Sequence, residues 1–380
     1  SGLSPRPDPP MMQSVSYTHD TGKQRLHNFS AGPGALPTEV MEEVRDDLPV
    51  FDGMGASIME VSHRSKEFDA IWASAVEKMK GLLGMGADWH VLFLQGGASM
   101  QFYQVPLNFL RADASADYLN TGAWSKKAIK EAKRCGTVNV AASSEADLYT
   151  YIPDPADWQL DPKASYVHYT SNNTIFGTQF HFEPEATVPL VCDASSDFLS
   201  HPIEVDRYGL IYAGAQKNIG PAGVTAVMVR EDFLQTKKND LPTMLDYRVH
   251  VEGDMFNTPP VFAVYIVEKV LRWIEKNGGL GAMTARNDAK AAALYAAIDA
   301  TDFYNGTAKT DSRSKMNVTY RLPSEELEAQ FIKEAKAAGL VGLKGHRSVG
   351  GIRASIYNAV SPESVDALIS FMQEFERTNG

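Results

Sequence analysis

The segment GAQKNIGPAG (214–223) sets one cation, Lys217, just past an apolar run at 210–213, among glycines at 214, 220 and 223 and a proline at 221. Such a loop turns sharply and gives an amine few side chains to shield it. A lysine desolvated at a strand end has a lowered pKa and attacks carbonyl groups. Four other apolar runs end on residues of complementary chemistry. Asp193 follows the run at 188–192, and a carboxylate there is costly unless it faces a cation or caps a turn. Gln95-Gly96-Gly97-Ala98-Ser99 follows the run at 91–94 and precedes a helix expected from residue 100. Free N–H groups at such a helix start hold anions, although a plain strand-to-helix turn has the same composition. The string is not GxGxxG, so a dinucleotide fingerprint is absent. Trp124 closes NTGAW after the run at 118–119, as a core residue or as a stacking partner for a flat ring. Thr170-Ser171-Asn172-Asn173-Thr174, after 166–169, is too rich in hydrogen-bonding groups to be filler.

These residues need a frame that brings strand ends together. Short apolar runs at 91–94, 118–119, 166–169, 188–192, 210–213 and 224–229 are bounded by turn residues, and helical segments such as 126–133 separate several of them. Strands alternating with helices predict an α/β fold with a mostly parallel sheet covered on both faces, and ligands in such sheets sit at the carboxyl ends of the strands. Ser65 is the expected N-cap of a helix with Phe68, Ile71, Trp72, Ala75, Met79, Leu82 and Leu83 at helical spacing, stopped by Gly84. The carboxy-terminal part reads differently. Helices are expected at 259–276, from 279 to about 300, at 324–339 and at 362–376, with strands at 316–322 and 351–356. The organisation expected is a tail over 1–26, a large domain over 27–278 and a smaller α/β domain over 279–380.

Composition narrows the function classes. A length of 380 residues accommodates such a pair of domains, and 44% hydrophobic with 22% charged residues excludes wholesale disorder. Thirty-six basic against 47 acidic residues, a net charge of −11, argue against a nucleic-acid partner. No apolar stretch reaches the 18 residues a membrane helix needs. Two cysteines, Cys135 and Cys192, make neither a disulfide framework nor a metal-ligand spacing, which favours a reducing, cytoplasmic setting. Residues 1–26 are polar and proline-rich, without the apolar region of a secretory signal. Met11 or Met12 is the expected native start.

A lysine for an aldehyde, an acid for a ring nitrogen, an anion cradle and a stacking indole are together the set that pyridoxal phosphate requires. The chain resembles the phosphoserine aminotransferases, within the class V, fold-type I pyridoxal-phosphate enzymes. The resemblance rests on NFSAGPGALP (28–37), SHRSKEF (62–68), QGGASMQF (95–102), NTGAWS (120–125), SNNTIFGTQF (171–180), DASSDFLS (193–200), GAQKNIGPAG, NTPPVF (257–262) and GHRSVGGIRASIYNA (345–359). These segments run in family order over roughly 27–378. A large domain with a mostly parallel, seven-stranded sheet is implied.

Residue by residue, the resemblance implies that Lys217 carries the cofactor aldehyde and moves the substrate proton. Asp193 pairs with the ring nitrogen, Trp124 stacks on the ring and Thr174 bonds its 3-oxygen. Ala98, Ser99 and Gln216 hold the cofactor phosphate, helped by Asn257 and Thr258 of a second subunit, so a homodimer with shared sites is implied. Arg353 grips the substrate α-carboxylate as a fork. His63 and Arg64 of the partner chain, with His346 and Arg347, receive the distal phosphate or carboxylate. The implied substrates are glutamate, 3-phosphohydroxypyruvate and phosphoserine, in serine biosynthesis, with a four-carbon phosphorylated keto acid of vitamin B6 biosynthesis as a further candidate. GHRSVGGIR supplies two arginines and a histidine within nine residues, local cations that an acidic chain needs for such substrates. Ser99 stands where many bacterial relatives carry an arginine, which leaves the phosphate cradle with less charge. Two readings on the same fold compete. A cysteine desulfurase carries a histidine before its lysine, where this chain has Gln216. An alanine–glyoxylate aminotransferase has no phosphate to bind, against which the His63-Arg64 and His346-Arg347 pairs speak. A non-catalytic binding protein would not need Lys217, Asp193 and Trp124 together.

Overall fold

The computed structural model describes residues 14–20, 22–51, 53–238, 240–253 and 255–380. Seven strands form the large sheet: β1 (Trp89–Leu94), β2 (Ser115–Asn120), β3 (Thr137–Ser143), β4 (Val167–Thr170), β5 (Leu190–Asp193), β6 (Tyr208–Gly214) and β7 (Thr225–Arg230). Their spatial order is β1-β7-β6-β5-β4-β2-β3. All pairings are parallel except those of β7, which is antiparallel to both neighbours. The other six strands therefore point their carboxyl ends to the same edge. This is the mostly parallel α/β sheet expected from the sequence, with its reversed strand next to the edge.

Successive side chains of a strand alternate between faces, and here both faces are buried. Phe93, Leu119, Tyr169, Cys192, Ile211 and Met228 pack with Phe68, Trp72 and Met79 of the helix Lys66–Leu83 and with Val264, Val267 and Leu271 of the helix Val261–Lys276. Their strand neighbours Leu92, Tyr118, Val191, Leu210 and Val227 pack with Phe102 and Val105 of the helix Gly97–Phe109 and with Ile129 of the helix Ala123–Ala132. Ser65 caps its helix by accepting a bond from the Phe68 N–H, and Gly84 ends it in the left-handed region at φ 69°. A side-chain N-cap of this kind contributes about 1 kcal/mol.

A second core gathers Leu294 of the helix Gly279–Asp299, Phe331, Phe371 and Phe375 around the antiparallel strands β8 (Asn305–Gly306), β9 (Asn317–Arg321) and β10 (Ile352–Ser355). Phe29, from the far end of the chain, is fully buried in it. The expected tail divides here. Residues 1–13 and Thr21 lie outside the described residues. Tyr17–Thr18 pairs antiparallel with Gln24–Arg25, the Ser14 N–H donates to the Ala338 carbonyl at 2.9 Å, and His27–Asn28 runs parallel to Leu340–Val341. From there the chain crosses back toward the loop after β6. Among the described residues no helix is long and apolar enough to cross a membrane.

Candidate active site

The common edge of the six parallel strands collects the strand-end residues singled out above. β6 ends at Gly214, and the turn after it closes through the Gly220 N–H donating to the Ala215 carbonyl at 2.9 Å. Lys217 leaves this turn and donates from Nζ to Thr174 Oγ1 at 2.6 Å, with Nζ 5.3 Å from the centre of the Trp124 ring. Burial pushes its pKa down to about 8; the Asp193 charge opposes that shift and Arg353 adds to it. Asp193, at the end of β5, is buried, and its Oδ1 accepts from both the Ser195 N–H (3.0 Å) and the Ser195 hydroxyl (2.6 Å). Burial raises its pKa, while Lys217 and then Ser195 draw it back toward the charged form. The acid and the amine thus hold each other's charge across the cleft.

Trp124 opens the helix Ala123–Ala132, whose start is fixed by the Ser125 hydroxyl accepting from the Thr121 and Gly122 N–H groups. Its indole is half-buried, and Nε1 has no partner among the described residues. Ala98 and Ser99 lie in the first turn of the helix Gly97–Phe109, where N–H groups lack intrahelical acceptors. Gly96 enters that turn at φ 94°, and a Cβ there would come within 2.5 Å of Met100 Cβ, so the tight approach needs glycine. Gln216 is held at its carbonyl, which accepts from the Gly34 N–H at 2.7 Å.

The cations fall into two groups. Arg353, on β10, donates from Nη1 to the Thr174 carbonyl at 3.3 Å, while its buried Nε has no acceptor among the described residues. His346 bonds through Nδ1 to the Ser348 hydroxyl at 2.7 Å; burial first, then Arg353, Arg347 and Lys127, hold its pKa down. His63 and Arg64 lie elsewhere, in the loop before Ser65. Arg64 Nη2 donates to the Met255 carbonyl at 3.1 Å, beside Asn257 and Thr258, and the Thr258 carbonyl accepts from Gln95 Nε2 at 2.9 Å. The four residues expected to serve a second subunit are therefore neighbours in their own chain.

Several residues that the motifs contained had no role assigned from sequence. The segment 28–37 runs against Lys217: the Tyr357 hydroxyl donates to the Ala31 carbonyl at 2.6 Å, and a Cβ on Gly34 would lie 2.9 Å from both the Lys217 carbonyl and the Tyr357 ring. Asn218, next to Lys217, accepts from the Asn358 N–H at 2.9 Å and donates to the Phe198 carbonyl at 2.6 Å. Lys290, fully buried in an alanine-rich helix, donates to the carbonyls of Ile356, Tyr357 and Val360 at 2.7–2.9 Å. No sequence signal marks a lysine in such a helix as buried. A cavity of about 640 Å³, lined by Asp197, His181, His201 and Lys315 among others, includes neither Lys217 nor Trp124 in its lining.

Chemically the cleft presents a poised amine, a buried acid, an indole with an unbonded N–H, a helix start with free N–H groups and a guanidinium with an unused donor. An aldehyde, a ring nitrogen, a flat ring, a phosphate and a carboxylate are the matching groups, so the residues fit pyridoxal phosphate with an amino acid beside it.

The sequence matches the profile of the family described as Aminotransferase class-V over residues 26–368. It is 58% identical over 361 residues to the phosphoserine aminotransferase of Desulfosudis oleivorans, covering 94% of this chain and 99% of that one. Among solved structures, phosphoserine aminotransferase from Bacillus circulans subsp. alkalophilus superposes with a TM-score of 0.92 at 50% identity, covering 94% of this chain and 99% of that one. A PLP-bound phosphoserine aminotransferase from Trichomonas vaginalis gives 0.88 at 41%, covering 92% and 100%. With the strand-edge site already assembled around Lys217, agreement of this extent means that the chain belongs to the class-V aminotransferase family.

Proposed function

We propose that the protein is a pyridoxal-phosphate-dependent phosphoserine aminotransferase, moving the amino group between glutamate and 3-phosphohydroxypyruvate as a step of serine biosynthesis. The observation that carries this reading is Lys217, half-buried between Thr174, Trp124 and the Asp193 charge, in a chain 58% identical to a phosphoserine aminotransferase. When bound, the cofactor supplies a carbonyl for the amine and a ring that takes up electrons from the substrate α-carbon.

The chain's own residues do the rest. Lys217, with a pKa near 8, releases and regains a proton at neutral pH and carries it to and from the α-carbon. Asp193 keeps a proton on the ring nitrogen; the two Ser195 bonds fix its Oδ1, which orients the carboxylate. Thr174 positions the ring's 3-oxygen, and Trp124 fixes the ring plane. Ala98 and Ser99, with Gln216, face the cofactor phosphate. Arg353 binds the α-carboxylate common to both amino donors, and His346 and Arg347 take the distal anion. Both substrates use one pocket in turn, so the kinetics are ping-pong. His63, Arg64, Asn257 and Thr258 act in the site of a second subunit, in a cytoplasmic homodimer whose chains each divide near residue 279. The vitamin B6 pathway substrate fits the same anion sites.

The test is a half-reaction. Protein loaded with pyridoxal phosphate is mixed with phosphoserine and, separately, with alanine. Loss of yellow absorbance with phosphoserine alone supports the reading; conversion by alanine and not by phosphoserine sinks it. Borohydride reduction of the loaded protein, followed by peptide mapping, places the cofactor on Lys217.

A further inference from the structure

We propose that Lys127 belongs to the substrate site, where its ammonium takes the distal phosphate together with His346 and Arg347. The proposal rests on the phosphoserine reading and adds a residue to it. Lys127 stands three positions after Trp124 in the helix Ala123–Ala132, a spacing that puts two side chains on one face. Its Nζ lies 4.4 Å from the centre of the Trp124 ring, and Lys217 Nζ lies 5.3 Å from the same ring. An indole attracts a cation at this range. The ring thus ties Lys127 to the reacting centre.

Lys126 and Lys127 are both exposed, but they are not equivalent. Lys126 is spent on Glu145, at 2.5 Å. Lys127 has no carboxylate within 4 Å among the described residues, and its partner is the indole. It is near enough to His346 to act on that ring's charge, as Arg353 and Arg347 also do. Lys127 beside Trp124, and Arg347 and Arg353, are thus all within electrostatic reach of His346 on a chain whose net charge is −11. Cations gathered in this way suit an anion of more than one charge.

Chemistry divides the work among them. Arg353, partly buried and fork-shaped, suits the planar α-carboxylate that every amino-acid substrate carries. The distal phosphate bears up to two charges and three acceptor oxygens, more than one guanidinium neutralises. A lysine on a flexible stem meets such a group as a point charge and adjusts to its position. The same position serves the singly charged carboxylate of glutamate less. Lys127 therefore favours the phosphorylated substrate over glutamate.

The experiment compares wild type with Lys127→Gln and Lys127→Arg as enzymes loaded with pyridoxal phosphate. The exposed position lets both variants fold. Dissociation constants for phosphoserine and for glutamate are measured by calorimetry, alongside kcat/KM for each. Lys127→Gln weakens phosphoserine about tenfold, as loss of one charge-assisted contact does, and changes glutamate less than threefold. Lys127→Arg restores most of the phosphoserine affinity, and cofactor absorbance is the same in all three proteins. No change with phosphoserine, equal weakening of both substrates, or loss of cofactor in place of substrate would each overturn the assignment. Wild-type enzyme that ignores phosphoserine but transaminates another amino acid overturns the phosphoserine reading itself, and that result is distinct from the others.

Discussion

Two side chains of the candidate site respond in opposite directions to the same burial. Burial disfavours charge on both Lys217 and Asp193, and each is kept ionisable mainly by the other. The consequence for Lys217 has a definite sign. Its folded pKa, near 8, is below the ordinary lysine value of 10.5. Below about pH 8 the folded protein therefore bears the full penalty of a buried charge. Between pH 8 and 10.5 the folded state binds fewer protons than the unfolded one, and stability gains across that window. Lys217→Met in the cofactor-free protein should raise the urea midpoint at pH 6.5, with the advantage fading as pH climbs to 10.5. A midpoint difference that is flat with pH would mean that Lys217 titrates at its ordinary value. Arg353 gives a second test at this scale. Its Nη1 is held by the Thr174 carbonyl and its Nε is unused, a geometry that lysine cannot copy. Arg353→Lys should raise KM about tenfold for both amino donors and leave cofactor absorbance in place.

Between elements, the site depends on one seam, where the loop after β6, the segment 28–37 and the chain following β10 meet. Gly34 is pinched between the Lys217 carbonyl and the Tyr357 ring. Gly34→Ala should displace Lys217 and lower kcat while the fold persists, with near-ultraviolet circular dichroism as the check on folding. Lys290 holds the same seam from below, its three donors matched to three carbonyls. Lys290→Met leaves those carbonyls without a donor and should cost about 2 kcal/mol in urea unfolding. An unchanged midpoint would mean that water replaces the ammonium. The strands and helices of this frame were largely legible in the sequence because their burial follows period 2 or 3.6. Val264, Val267, Val270 and Leu271 are buried as their spacing requires. β3 was missed because its TVNVAAS is mostly half-exposed at the sheet's edge, and the helix Thr38–Asp47 was missed because only Val40 and Val44 anchor it. The candidate site was legible where chemistry marks a residue, as with Lys217 and Asp193. It was not where long-range contact alone gives the role: Lys290, Asn218 and Asn358 acquire theirs from partners 66 to 140 residues away.

At the scale of the assembly, the separation of the cations into two groups becomes a statement about subunits. Lys217, Trp124, Asp193 and Arg353 converge, whereas Arg64 is bonded beside Met255, next to Asn257 and Thr258. In the homodimer proposed above, this patch would serve the cleft of the partner. The reading predicts complementation between two inactive variants. Lys217→Ala removes the amine of a chain's own cleft, and Arg64→Ala removes a cation that serves the partner's cleft. When the two proteins are dissociated, mixed in equal amounts and reassociated, half the dimers are mixed. In each mixed dimer one cleft carries both lesions and the other carries neither. About a quarter of wild-type activity should therefore return, from a pair of proteins that are each nearly inactive. Should Arg64 act within its own chain, every cleft in the mixture carries one lesion and nothing returns. Sedimentation of wild type and of the separate variants checks that each forms the proposed dimer, so that silence in the mixture reassigns Arg64 alone.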